Sequence, residues 1–553
     1  MRIEELRIVG YQILRDITIH PGKTSQLNGA PGLQSSIDLL VGVNGTGKST
    51  LLRALAIIFQ CLEQNNSIPP FGFAIKYMLD EQPKMIFVSN LDDNTDQLTP
   101  LLRFRLGDDP EEVVVGKIKE EYLPRHIIAL TSGSETGWLY NGETTDETEV
   151  GILSRGAQIE DLESFLQTWD LTEVPGNPLE RDRGQVHPNP SSRFQLITAN
   201  LMPYVVLCGL LSDMCNDSKY LQPILESAKI EKLYGFSLQL YLDKDQIAQD
   251  LVPFIAHLWE CATYIVRTGK NYLLVFLFDN QVSADATLSP DEENQGQSRP
   301  EQLLGETGDG LTFFTQMLPL IIADDPNSQI MRKTNLFLKS ARPLPQNSTE
   351  EMSPSEQSSL YLFDWLSDGE QSLLGRLCLL PLLSYTEAMV LLDEPEVHFN
   401  DYWKRQLLQM LHSSLQQQKP GQRPTSSHIL MTTHSSITLS DVANTNIWIL
   451  ERDYDHQSRA TQPRLRTLGT DPSDIIIHIF RADSAIGAYS AAYIREQLQA
   501  SEEFPDDKRI KKLNELLKQV GPGYWRYLIR REILSLEAPQ IWNPLDSGEE
   551  TLS

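Results

Sequence analysis

The nine residues Gly42-Val43-Asn44-Gly45-Thr46-Gly47-Lys48-Ser49-Thr50 restrict this chain more than any other stretch in it. They fit G-x-x-x-x-G-K-[ST], follow the apolar run Ile37 to Val41, and precede the amphipathic LLRALAIIFQCL. A strand, a glycine-rich loop and a helix in that order make a cradle for phosphate. Gly42, Gly45 and Gly47 let the backbone curl until successive N–H groups face one point, with Asn44 and Thr46 between them. The helix N-terminus adds its dipole. Lys48 reaches the β and γ oxygens of a nucleotide, and the Ser49 hydroxyl, followed by Thr50, is placed to ligate Mg2+. Such a unit predicts an α/β protein with ATP and Mg2+ as its ligands.

A second phosphate-binding turn lies more than three hundred residues further on. In LSDGEQSLLGRL (366–377) the residues Ser367, Asp368, Gly369 and Glu370 lead into a helix carrying Leu373, Leu374 and Leu377. Small residues and a hydroxyl at a helix start again suit an anion. Next comes AMVLLDEPE (388–396), an apolar strand ending in Asp393 and Glu394. Both carboxylates then project from the C-terminal edge of the sheet, where open α/β folds bind ligands. Asp393 is the expected Mg2+ partner, through water or one layer out from the ion, and Glu394 the expected general base that polarises the attacking water. A further strand, ILMTTHSS (429–436), delivers His434, which can donate to the γ-phosphate and help hold that water.

Composition narrows the class. With 47 Lys and Arg against 75 Asp and Glu, the chain carries −28 at pH 7, so any nucleic-acid contact must use a local basic patch. Five cysteines, Cys61, Cys208, Cys215, Cys261 and Cys378, form no C-x-x-C pair and suit a reducing cytoplasm rather than a disulfide framework or a zinc site. No apolar run reaches the length of a membrane span, and MRIEELRIVG reads as a strand rather than a leader, so no membrane contact and a cytoplasmic location are expected.

Along the chain, 1–140 reads as the N-terminal part of the nucleotide-binding head. Strands are expected over the opening alternation IEELRIVGYQILRDITIH and at KMIFVSN, LLRFRL and HIIALTS. Residues 141–340 read as a helical or mixed insertion. Helices are expected in DLESFLQTWDL, RFQLITANLMPYVVLCGLLSDM and DQIAQDLVPFIAHLWECATYIV, and a strand at YLLVFLFD. Polar segments at 280–300 and 342–359 read as mobile loops. Residues 341–470 complete the head, and 471–553 form a helical tail for partner or oligomer contacts, with the basic DDKRIKKLNELLKQ. Neither internal repeats nor sustained heptads are present.

The order of P-loop, LSDGEQ, Asp-Glu strand and histidine resembles the ATP-binding-cassette ATPases, and within them the soluble heads of SMC, RecF and OLD-type proteins. The resemblance implies a two-lobed P-loop NTPase head, and it explains the two phosphate-binding turns. In that family the signature turn reaches across to the γ-phosphate held by a second subunit, so Ser367, Gly369 and Glu370 would act in trans in a homodimer or higher homo-oligomer. From Lys48 to Asp393 the chain runs 345 residues, which requires an insertion, and the insertion lacks the heptads of SMC arms. LPRHIIALTSGS (123–134), YLFDWLSDGEQS (361–372), DEPEVHFND (393–401) and GPGYWRYLIR (521–530) resemble the Septu-type anti-phage ATPase PtuA, including retron-associated versions. That likeness implies a sensor or regulator in a defence or toxin–antitoxin setting. Its partner would be an HNH-type, PtuB-like nuclease, joined in retrons by a reverse transcriptase and msDNA.

Three departures accompany the resemblance. Asn400 and Asp401 stand where many relatives have His-Pro, Asp368 replaces the signature's second glycine position, and Gln60, Gln64, Gln82 and Gln97 all remain open as the Q-loop glutamine. No nuclease motif is apparent: Asp471, Asp474 and Asp483 lack a following D-x-D, and His456 and His478 read as structural. Lys508, Arg509, Lys511 and Lys512 with Tyr524, Trp525 and Arg526 are either a nucleic-acid or partner surface or, more simply, a solvated helical face. A RecF/SMC-like repair ATPase that binds DNA directly, and an OLD-like ATPase with an unrecognised nuclease domain, are the rival readings.

Overall fold

The computed structural model describes residues 1–21, 36–64, 68–80, 84–92, 98–107, 113–133, 137–139, 192–216, 221–242, 247–278, 292–294, 299–305, 309–322, 329–340, 360–383, 387–415, 427–452, 458–482 and 484–537. The described chain forms two units, 1–470 and 471–553.

The first unit is an α/β P-loop NTPase fold built on three sheets. Strands β1 (Arg2–Tyr11) and β2 (Leu14–Ile19) open the chain, and β3 (Ser36–Val41) carries the P-loop. Then follow β4 (Gly72–Met78), β5 (Ile86–Leu91), β6 (Leu98–Leu106), β7 (Val113–Val115), β8 (His126–Thr131) and β9 (Phe194–Ile197). Six of these make an antiparallel sheet in the order β2-β1-β4-β5-β6-β7. Its strands alternate as a half-buried sheet requires, with Ile3, Leu6 and Ile8 of β1 turned into the core.

A second antiparallel sheet is made by β10 (Ile230–Tyr241), β11 (Tyr264–Thr268), β12 (Asn271–Leu277), β13 (Glu292–Asn294), β14 (Met331–Ser340) and β15 (Leu360–Leu362), in the order β13-β11-β12-β10-β14-β15. Several expectations are corrected here. Phe194–Ile197, read as helix, is β9, and the helical part of that stretch is the 3-10 turn Ala199–Leu201 followed by the α-helix Met202–Asn216. Val252–Cys261 is a helix, but the following Tyr264–Thr268 is a strand that pairs with β12 across Gly269 at φ 66. Part of 280–300 is β13, paired with β11. The helix expected at DLESFLQTWDL, the loop at 342–359, Gln82, Gln97, His456 and Asp483 lie outside the described residues.

The third sheet is the functional one. It adds β16 (Ala388–Asp393), β17 (His428–Thr432), β18 (Ile447–Arg452) and β19 (Ser458–Thr461), in the order β19-β18-β3-β17-β16-β8-β9. All pairs are parallel except β19 on β18. Strands buried on both faces read as unbroken apolar runs: every residue of β3, β16 and β17 is buried. The helix Lys48–Glu63 covers one face, sharing a core with Leu6 and Ile8 of β1 and Met389 and Leu391 of β16. At about 1.5–3 kcal/mol per fully buried large apolar side chain, its Leu51, Leu52, Leu55, Ile58 and Phe59 tie the P-loop to both sheets.

At the N-terminal end of this sheet His428 Nδ1 accepts from the Ile3 amide (3.0 Å), and Nε2 donates to Asp38 Oδ2 (2.9 Å). Asn446 Nδ2 donates to the other Asp38 oxygen (3.3 Å). A fully buried carboxylate is thereby paired, and β1 is pinned to the central sheet.

The second unit holds helices Pro472–His478, Ala488–Ser501, Asp506–Gln519 and Tyr524–Glu537. The last three share a small core of Ile494, Leu513, Leu516, Ile529 and Ile533. Among the described residues of the chain no helix is long and apolar enough to cross a membrane, and no disulfide joins any of the cysteines.

Candidate nucleotide site

The P-loop follows β3 at the C-terminal edge of the central sheet. Gly42, Gly45 and Gly47 hold φ of 151°, 78° and 101°, the left-handed region that favours glycine. A Cβ at Gly47 would also lie 2.7 Å from Leu14 Cδ2, so the loop needs glycine there on two counts. Thr46 Oγ1 closes the loop by donating to Val43 O (2.9 Å). Lys48 Nζ lies inside the curl, donating to Gly42 O (3.0 Å) and Val43 O (3.2 Å). Burial lowers its pKa, while the Glu394 and Asp393 carboxylates raise it. Asn44 and Gly45 are exposed at the loop tip, and Ser49 and Thr50 start the helix.

Three hydroxyls from three segments converge on Asp393 at the end of β16. Ser49 Oγ (2.8 Å) and Thr432 Oγ1 (2.7 Å) donate to Oδ1, and Thr131 Oγ1 (3.2 Å) donates to Oδ2. Asp393 is buried, so these donors replace the water it would otherwise need. The chemistry of this oxygen set fits Mg2+, which takes one or two protein oxygens together with substrate phosphates rather than an all-protein cage. Ser49 and Asp393 would hold the ion.

Glu394 follows in the left-handed region at φ 51°, an uncommon conformation for glutamate that costs about 1–3 kcal/mol. The surroundings over-determine it. Its N–H donates to Thr432 Oγ1 (2.9 Å), and Ser132 Oγ donates to the carbonyls of Asp393 (3.1 Å) and Glu394 (3.0 Å). The turn aims the carboxylate at β17, where His434 Nε2 meets Glu394 Oε1 at 3.1 Å. Burial, followed by the Lys48 charge, lowers the His434 pKa, and Glu394 opposes the shift. With its proton on Nε2, the imidazole donates to Glu394. Both side chains are about one-third exposed, which leaves them open to a substrate.

The structure thus brings Lys48, Ser49, Asp393, Glu394 and His434 together. Ser367, Gly369 and Glu370 lie elsewhere in the unit, at the start of the helix Asp368–Leu377. They form a reciprocal cap: Glu370 N donates to Ser367 Oγ (3.3 Å), and Ser367 N donates to Glu370 Oε2 (3.0 Å). Gly369 packs so closely on the segment after β16 that a Cβ would sit 3.1 Å from His398 O and 3.3 Å from the Trp403 ring. Asp368, the departure from glycine, occupies the first helical turn, where a negative charge is favoured by the dipole. Asn400, standing where relatives have histidine, accepts from Trp403 N (2.9 Å) and so starts the helix Asp401–Leu415.

Several contributors escaped the sequence reading. Thr131 ends β8, the strand beside β16, Ser132 follows it, and together they complete the surroundings of Asp393 and Glu394. Gln60, one of the four glutamines left open, is buried and donates to Ala56 O and Trp138 O, while Gln64 caps the end of the P-loop helix. In the second unit, three members of the basic and aromatic cluster have structural work. Arg509 pairs with Glu532 (2.6 Å), Arg526 Nη1 donates to Leu517 O (2.7 Å), and Trp525 packs under Arg495 (5.5 Å).

Residues 277–441 match the family model described as "AAA domain, putative AbiEii toxin, Type IV TA system". The match takes in the signature turn, Asp393, Glu394 and His434, and stops short of the P-loop. Comparison with curated proteins gives no match. Among solved structures the chain is similar to the SMC head domain from Thermotoga maritima, with a TM-score of 0.34, 11% identity, and coverage of 84% of this chain and 100% of that one. It is also similar to an SMC head bound to the C-winged helix domain of ScpA, with a TM-score of 0.29, 12% identity, and coverage of 84% and 98%.

Proposed function

We propose that the chain is an ATPase whose head binds Mg-ATP on the Gly42–Thr50 loop and hydrolyses it with Glu394 as general base. The observation that carries this reading is the convergence of Ser49 on Asp393 (2.8 Å) and of His434 on Glu394 (3.1 Å) at one sheet edge, beside Lys48. Lys48 and the loop amides neutralise the phosphates. Mg2+, when bound, supplies electrostatic stabilisation of the transferring phosphoryl group. Glu394 takes a proton from the attacking water, and the His434 Nε2–H fixes the carboxylate that receives it. Two heads close head to tail, with Ser367, Gly369 and Glu370 of each completing the site of its partner, and loss of the γ-phosphate favours opening.

A two-state head of this kind suits a sensor or regulator of a defence complex that holds or releases a partner HNH nuclease. Support comes from the likeness of 123–134, 361–372, 393–401 and 521–530 to Septu-type ATPases, and from a family description that names a toxin–antitoxin system. The test is Glu394→Gln. ATP binding should persist while turnover falls about 10²–10⁴-fold, the usual worth of a general base. Turnover within threefold of wild type removes Glu394 from that role.

A further inference from the structure

Two buried ionisable side chains near the site, Glu396 and Arg376, have no part in the chemistry above. Glu396, on the turn after Glu394, is 5% exposed, and its Oε1 accepts from Thr433 Oγ1 and from the His434 amide (3.2 Å). Thr433 Oγ1 in turn accepts from Ser435 N (3.0 Å), so one carboxylate oxygen organises three consecutive residues around His434. Thr433 N also donates to Leu40 O (3.2 Å), at the end of the P-loop strand. The other Glu396 oxygen is buried without a hydrogen-bond partner among the described residues.

The charge nearby comes from the helix that starts at the signature turn. Arg376, 7% exposed, donates through Nη1 to Pro395 O and to Val397 O (2.8 Å), the two carbonyls flanking Glu396. Its guanidinium lies over the Phe399 ring at 5.3 Å. Burial brings the arginine down to about 10, and the Glu396 charge opposes that shift. What satisfies the buried guanidinium is the backbone on either side of Glu396, so the arginine fixes the turn that carries the carboxylate.

We infer that Glu396 is a positioning residue for His434, and that Arg376 holds the Glu396 turn to the signature helix, joining the turn that grips a second copy's nucleotide to the histidine of its own site. The inference rests on the ATPase reading and adds a regulatory link to it. When the signature turn engages, any shift of its helix is passed by Arg376 to the Pro395–Val397 backbone. Glu396 then passes it to the His434 backbone, without either side chain touching ATP.

The test compares Glu396→Gln and Glu396→Ala, each alone and with His434→Ala, by steady-state turnover and by hydrogen exchange of the 429–440 segment in the absence of nucleotide. A neutral amide still accepts both bonds but more weakly than a carboxylate. Glu396→Gln should therefore lower kcat about tenfold, and Glu396→Ala about a hundredfold, with KM for ATP within about threefold. In the His434→Ala background neither should matter by more than about twofold, because coupled residues are not additive. Exchange at His434 and Ser435 should rise in the same order. Arg376→Met, which keeps an apolar stem but removes the donor to both carbonyls, should reproduce the Gln variant. Equal losses of kcat with and without His434, or unchanged exchange in Glu396→Ala, overturn the inference. A wild-type protein that binds ATP and never turns it over sinks the ATPase reading instead, and the exchange measurement still decides the role of Glu396.

Discussion

Replacing Thr432 by Val removes one hydroxyl and almost no volume from a fully buried position. That hydroxyl donates to Asp393 Oδ1 (2.7 Å) and accepts from the Glu394 amide (2.9 Å), so it joins the metal-side acid to the backbone of the base. A hydrogen bond to a charged group contributes about 1.5–3 kcal/mol, and stranding a buried donor costs about 1–3 kcal/mol. The two overlap, because Ser49 remains on the same carboxylate oxygen, so their joint effect is about 2–4 kcal/mol. Glu394 is held at φ 51° partly by this bond, and most of the loss should appear as misplacement of the base rather than as unfolding. At about 1.36 kcal/mol per factor of ten, kcat should fall about 30- to 1,000-fold. Single-turnover hydrolysis with ATP in excess of its Kd isolates this step from binding. Thr432→Ser, which keeps the oxygen, is the control and should stay within about fivefold of wild type. If valine leaves hydrolysis within threefold of wild type, or serine is as damaging as valine, the hydroxyl does not position Glu394 and the argument fails.

Two further outcomes are expected. Because burial and the Lys48 charge lower the His434 pKa, its neutral form should survive acidification past its ordinary value of 6.5, and kcat should fall only below that point as the added proton weakens Glu394 as a base. A pH–rate profile from about pH 5 to 9 checks this, and an acid limb centred at or above 6.5 contradicts it. Gly369→Ala should cost about 1 kcal/mol of stability, as the His398 carbonyl and Trp403 ring give by a few tenths of an ångström. ATP binding to the single head should survive, while ATP-dependent association measured by light scattering should weaken.

The P-loop, the Asp-Glu strand and His434 were legible in the sequence for a shared reason. Each is a short contiguous run whose apolar strand places it at a sheet edge by period alone. The hydroxyls at the end of β8 were not legible, because Thr131 and Ser132 acquire meaning only once β8 lies beside β16, 262 residues later in the chain. The same holds for Glu396, whose carboxylate finds Thr433 across a separation of 37 residues. The β10–β15 sheet was partly missed because its strands are interleaved with helices. Near Tyr264 a helix passes into a strand within three residues, too few for either period to declare itself. The signature turn shows the converse. Its helix start was evident, while the reciprocal cap of Ser367 and Glu370 accounts for both residues without a ligand, so their role in trans rests on the proposed dimer.

The strand order of the central sheet has a consequence for synthesis of the chain. Among the described residues β3 finds its lateral partners in β17 and β18, whose first residues are His428 and Ile447. A ribosome adding roughly 5–20 residues per second therefore exposes an apolar strand ending at Val41 for about 20–80 s before its neighbours emerge. Through that interval the lysine loop lacks the two strands that flank its own. The same delay makes the unfinished chain a natural client for chaperones that shield strand edges.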